Sequence, residues 1–204
     1  MLSCRHHYVP YAQASEGANI VVDGTRNDNT ALSLSHWPKS GTPWPLKADT
    51  SAEIVFKYLD MAEWHQDVPA VTNDHFDEDG LIGLFALIEP ESDLKHRELL
   101  IDAAQAGDFG VYRDRRAARI AFTISRLVDP AVSPWNPQFI RLESFNDYPA
   151  YCVTVFTRLL EQLQGIVEDI DAHKELWADE DAMLTASEQA FENGEATLEE
   201  VTEL

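Results

Sequence analysis

The sequence predicts an α/β fold: a Rossmann-like, mostly parallel sheet with helices on both faces, followed by a C-terminal helical segment. Two observations predict it. Short apolar runs alternate with longer amphipathic stretches, and turn or capping residues bound nearly every run. Residues 1–18 read as an irregular lead-in. Asn19 to Gly24 is a buried strand ending in an acid and a turn, and Ala31 to His36 is a second strand stopped by Trp37-Pro38. Asp49, Thr50 and Ser51 offer N-cap oxygens for a helix to about Asp60, and Val68 to Asn73 is a third strand. Asp79-Gly80 opens an apolar helix to Ile88. Ser92-Asp93 caps another, which runs through Ala106 and stops at Gly107. Asp108 to Tyr112 is then a connection, and Arg113 to Val128 is helical. After a Pro-rich loop, two long helices follow, Pro149 to about Ile170 and His173 to about Phe191; Thr197 to Leu204 has the pattern of an isolated strand start. Residues 1–128 thus form the α/β domain, and 129–204 are a helical continuation packed on it.

Composition excludes several functions. Hydrophobic residues make up 45% of the 204, enough for a core. The formal net charge of −21 repels a long duplex, because nucleic-acid affinity rests on Lys and Arg neutralising phosphates; a small phosphorylated ligand remains compatible. No apolar run approaches the ~20 residues needed to span a bilayer. Residues 1–10 lack a signal core, and the two cysteines, Cys4 and Cys152, form no motif; a cytoplasmic protein with structural thiols is expected.

In open parallel sheets ligands bind beyond the carboxyl ends of the strands. Asp23, His36 and the acids after Asn73 all fall at such ends. The densest group is Asn73-Asp74-His75-Phe76-Asp77-Glu78-Asp79-Gly80, between a strand and a helix. Neighbouring carboxylates repel, and a divalent cation would offset that cost. His75, Asp77 and Asp79 point the same way if the segment is extended. Helix capping is the competing explanation; it accounts for Asp77 to Asp79 well and for His75 poorly.

His75-Phe76-Asp77-Glu78-Asp79-Gly80 resembles the H-x-D-x-D-G form of the first motif of DHH-type phosphoesterases. Ile20-Val21-Val22-Asp23 is similar to the second motif, a strand ending in a bridging Asp. Leu34-Ser35-His36-Trp37-Pro38 resembles the D-H-H motif, with Ser35 and Trp37 at the flanking positions. Asp108-Phe109-Gly110-Val111-Tyr112 is similar to the D-T-G-x-F fourth motif. The second and third motifs precede the first here, and the Gly-rich substrate domain of the family is not apparent. The chain also resembles an uncharacterised bacterial group with H-W-P and H-F-D-x-D-G stretches. The resemblance implies a divalent-metal cage of Asp23, His36, His75, Asp77, Asp79 and Asp108. The ion would be Mn2+ (Mg2+ or Zn2+ being alternatives), with Asp77 and His36 also catalytic. It implies hydrolysis of a nucleotide or short oligonucleotide by a metal-activated water, or a catalytically inactive ligand-binding or regulatory descendant.

Arg113, Arg115, Arg116 and Arg119 form a dense basic cluster. Cations at a helix start are unfavourable for its dipole, so Arg113, Arg115 and Arg116 are expected to hold substrate phosphate, with salt bridges to surface acid as the alternative. Glu180 and Asp181 read as a plain acidic helix segment, and His6, His7, His65, His96 and His173 as surface or capping residues.

Overall fold

A computed structural model of the protein describes residues 5–90, 95–138, 140–197 and 199. The α/β expectation is met by a four-stranded, all-parallel sheet. Its strands are β1 (His7–Tyr8), β2 (Asn19–Val22), β3 (Thr30–Leu34) and β4 (Ala70–Thr72), in the order β1-β4-β2-β3. Among the described residues the α-helices are α1 (Tyr11–Ala14), α2 (Ser51–Asp60), α3 (Glu78–Ile88), α4 (Arg97–Phe109), α5 (Arg115–Val128), α6 (Tyr148–Glu168) and α7 (Lys174–Glu192). The inner strand β2 is buried at all four positions, and after the polar Asn19 it is a continuous apolar run, Ile20 to Val22, rather than an alternation.

The core explains the arrangement. Ile20, Val22, Leu32, Leu34 and Val71 of the sheet join Ile54, Val55 and Tyr58 of α2, and Leu81, Leu84 and Phe85 of α3, in one cluster. The same cluster continues through α4, α5 and α6 to Trp177 of α7. Helix α3 is apolar nearly all round, as a helix covered on every side must be. It comes close to the sheet at Gly83, where a Cβ would stand 2.7 Å from the Val22 side chain. No helix among the described residues is long and apolar enough to cross a membrane. Cys152 is a buried free thiol; Cys4, Ser92-Asp93 and nearly all of the stretch from Thr197 to Leu204 lie outside the described residues.

Three sequence expectations need correction. The lead-in contains β1, whose two residues pair with Ala70 and Val71; a strand that short carries no readable alternation. Helix α4 does not stop at Gly107 but runs to Phe109, with Gly110 as the left-handed cap at φ 66°. Gly107 instead makes room for a neighbour, because a Cβ there would sit 2.5 Å from the Glu78 Cβ. Asp181 and Glu180 are not merely solvated: Asp181 accepts from Arg115 at 2.6 Å and Arg119 at 3.2 Å, Glu180 pairs with Arg126 at 3.6 Å, and Arg119 lies 4.1 Å over the Trp177 ring. These pairs dock α7 on α5.

Glycine replacements separate packing from propensity. Gly83→Val should lower stability by about 1–3 kcal/mol through overpacking against Val22. Gly165→Ala, inside α6 with nothing near its Cβ, should raise it by about 0.5–1 kcal/mol. Urea midpoints check both; a Gly83→Val protein as stable as wild type would contradict the packing described.

Candidate metal centre

The carboxyl ends of three adjacent strands deliver the site. Asp23 follows β2 directly, and its backbone N–H still donates to the Leu34 carbonyl (3.0 Å), which holds it in register with the sheet. It is fully buried and adopts φ 47°, the left-handed region that side chains other than Asn, Asp and Gly seldom enter. Gly24 then turns the chain past Asp74, leaving no room for a Cβ, which would lie 2.7 Å from the Asp74 Oδ1. His36 lies just beyond β3, and His75 just beyond β4.

Two helices begin at this rim and one ends there. Thr50 caps α2 by accepting from the Glu53 N–H, and Asp77 caps α3, its Oδ1 accepting from the Gly80 N–H at 2.7 Å. The buried Asp79 carboxylate accepts from the Ser51 and Ala52 N–H groups at 2.7 and 2.8 Å, tying the first turn of α3 to that of α2. Asp108 comes from the last turn of α4. The segment from His75 to Asp79 is therefore not extended throughout, since Glu78 already starts the helix. Capping and convergence coexist: Asp77 caps with one oxygen and meets His75 Nε2 with the other at 3.1 Å.

All six expected ligand residues gather here. Asp23 Oδ1 lies 3.6 Å from His36 Nε2, and its Oδ2 lies 3.5 Å from His75 Nε2. Asp108 stands 3.7 Å from His36 Nε2. Two trios, Asp23, His75, Asp77 and Asp23, His36, Asp79, each place one ligand atom per residue within 4.8 Å of one another, and either can hold a metal ion. Asp23 belongs to both. Its buried Oδ2 has no hydrogen-bond partner among the described residues.

An outer layer orients the imidazoles. The His36 Nδ1 is 2.7 Å from the Asp49 carbonyl. A carbonyl only accepts, so Nδ1 carries a proton and Nε2 is the nitrogen left for a metal ion. In the metal-free chain burial works to lower the imidazole, but the Asp49 carbonyl and the charges of Asp23, Asp79 and Asp108 raise it, so a second proton on Nε2 faces the carboxylates. Ser51 Oγ accepts from the His36 N–H (3.0 Å) and donates to Asp23 Oδ1 (2.6 Å). Asp74 Oδ1 meets His75 Nδ1 at 3.1 Å and accepts from the Thr25 N–H at 3.2 Å. The Phe76 N–H donates to Tyr148 Oη, which ties the site loop to α6. Trp37 packs on His75 and Phe109 on His36, with ring centroids 5.0 and 5.9 Å apart. Sequence reasoning missed the roles of Asp74 and Tyr148; the pairing of Asp74 with the adjacent His75 was the one available signal.

The electrostatics are those of a charge-crowded pocket. Burial, then the charge of Asp77, pushes the Asp23 carboxyl up from 3.8 to about 6, against the pull of His75 and Ser51. Burial and the charge of Asp23 raise Asp79 to about 7. Burial works to lower His75, but the neighbouring carboxylates of Asp23, Asp74 and Asp77 outweigh that and hold it up to about 12. An imidazolium at His75 therefore occupies the place of a cation in the metal-free chain.

The arginines do not gather with the six. Arg115 is engaged by Asp181, Glu188 and Thr185 on α7, and Arg116 by Asp114. Arg113 and Arg116 line a cleft of about 450 Å³ together with Glu53, Glu98 and Asp102, and none of the six cluster residues lines it. His6 is not at the surface: it is buried, with Nδ1 3.0 Å from the Val68 carbonyl.

Residues 4–204 match a family described as one of unknown function. The chain belongs to DUF6687. The match spans nearly the whole sequence, so in this DUF6687 chain the sheet, the His and Asp cluster and the C-terminal helices all lie within the family's boundaries. No curated protein and no solved structure matches it.

The pKa values carry a sign. Asp23 and Asp79 hold protons in the folded chain at a pH where the unfolded chain has lost them. The stability they add is complete below about pH 3.8 and is lost as pH rises through about 6 to 7. His75 acts in the same direction, its contribution complete below pH 6.5 and lost towards about 12. Metal-free protein should therefore melt lower at pH 8 than at pH 5. Asp23→Asn keeps a residue suited to φ 47° and should raise stability at pH 8 in a chelator by roughly 1–3 kcal/mol. Calorimetry checks this; an Asp23→Asn protein that melts below wild type at pH 8 would sink the account.

Proposed function

We propose that this chain is a divalent-metal-dependent phosphoesterase acting on a small phosphorylated substrate, a nucleotide or short oligonucleotide. The observation that carries the proposal is the fully buried Asp23 carboxylate, which belongs to both trios of His and Asp and whose Oδ2 makes no hydrogen bond and lies 3.5 Å from His75 Nε2. A buried carboxylate oxygen without a hydrogen bond is costly, and a ligand is one resolution. The donor set, carboxylates with two imidazoles, suits manganese better than magnesium or calcium, which favour all-oxygen shells. Two such ions would neutralise a phosphate and lower the pKa of an attacking water.

The chain's own residues have separable roles in this reading. Asp23 spans the two positions, and Ser51 fixes one of its oxygens. His36 is aimed by the Asp49 carbonyl and His75 by Asp74. Asp77 and His36 face the reacting centre, and Asp108 stands beside them, 3.7 Å from His36 Nε2. The net charge of −21 favours a small substrate over a polymer.

A second reading, a non-hydrolytic ligand-binding protein, draws on Trp37, which stands where the resembled motif has a His and whose ring packs on His75.

Asp77→Asn discriminates. Asparagine also caps helices, so α3 and the melting temperature should persist. Manganese-dependent hydrolysis of a small phosphodiester should fall by at least about 100-fold. Wild-type turnover in Asp77→Asn would remove the role given to Asp77, full activity in a chelator would remove the metal dependence, and no manganese-dependent hydrolysis by wild type would remove the phosphoesterase assignment.

A further inference from the structure

An anionic substrate must approach a cluster in which four aspartates surround two histidines, on a chain of net charge −21. It needs a cation at the mouth. Arg115 is saturated by α7, and Arg113 and Arg116 face the separate cleft.

Arg26 is placed differently. It lies on the β2–β3 connection three residues after Asp23, a span of at most ~11 Å of chain. Its neighbour Thr25 is held from both sides: the Thr25 N–H donates to Asp74, and its carbonyl accepts from Tyr11 Oη at 2.9 Å. The Arg26 guanidinium lies over Gly41, where a Cβ would stand 2.7 Å from Nη1. Gly41 has φ 83°, so that gap is kept for glycine by the backbone as well. The turn that carries Gly41 follows His36. It is fixed because Ser40 and Thr42 both donate to the Ser35 carbonyl (2.8 and 2.7 Å) and Thr42 accepts from the Ser35 N–H (2.9 Å). Arg26 is thus seated between the segment leaving one ligand residue and the turn leaving another. Among the described residues no carboxylate pairs with it.

We propose that Arg26, seated on Gly41, is the phosphate-recognising residue of this site. The assignment rests on the metal reading above. A guanidinium presents two parallel N–H donors to a phosphate, which an ammonium does not, and Arg26 is carried by the connection that leaves Asp23, its guanidinium seated on the turn that follows His36.

The test uses full-length protein loaded with manganese, freed of excess metal and titrated with inorganic phosphate in a calorimeter. Arg26→Ala should keep its manganese and lose about ten-fold or more in phosphate affinity. Arg26→Lys should recover part of it. Arg115→Ala should bind phosphate as wild type does while melting lower, since it loses the contacts to α7. Arg26→Ala with full manganese and wild-type phosphate affinity overturns the proposal and leaves the metal site standing. Wild type that retains no manganese overturns the metal reading and this proposal together.

Discussion

A carboxylate with no solvent exposure, on a residue held at φ 47°, stays ionised only if positive charge is brought to it. Asp23 sets that condition, and the structure around the strand ends follows from it. The Ser51 hydroxyl satisfies one oxygen, and His75 and His36 approach from the neighbouring strands. Asp77 and Asp79 add two further negative groups, each anchored by backbone N–H groups at a helix start, which leaves their charge gathered around Asp23. Without a cation, the pocket balances itself by holding protons on His75, Asp23 and Asp79. That balance favours low pH and makes the site a place where metal and proton compete.

The scaffold serves this pocket. Parallel strands end at one rim, so one sheet edge receives residues far apart in sequence. The helices α2 and α3 point their N-termini at the same rim, where their dipoles and free N–H groups favour negative charge. Asp79 uses two of those N–H groups, so the ends of both helices and the pocket are fixed together. Gly24, Gly80 and Gly83 allow the close approaches: a Cβ on Gly80 would meet Asn73 Nδ2 at 2.2 Å. On the far side, α6 reaches the site loop through Tyr148, and α7 is held on α5 by ion pairs.

Much of this was legible in the sequence. Strand-end acids and histidines stand out because such residues are expensive in a sheet interior, and that signal found all six members of the cluster. What failed was local in kind. A two-residue strand has no period to read. Gly107 looked like a stop because sequence does not say that Glu78 packs against it. Four arginines in seven residues looked like one patch, although helical geometry points Arg115 and Arg119 together at α7. The acids at Asp181 and Glu188, seven residues apart on one face of α7, were the available sign of that docking. The Arg26 and Gly41 pairing was invisible, because neither belongs to a motif and the two meet only through the turn after His36.

The most direct measurement is elemental analysis of wild type and Asp23→Asn after equilibration with manganese and exhaustive dialysis into metal-free buffer at pH 8. The account predicts one to two tightly held ions per chain in wild type and a marked loss in Asp23→Asn, with both proteins folded. Equal manganese in the two proteins, or none in wild type, would contradict it.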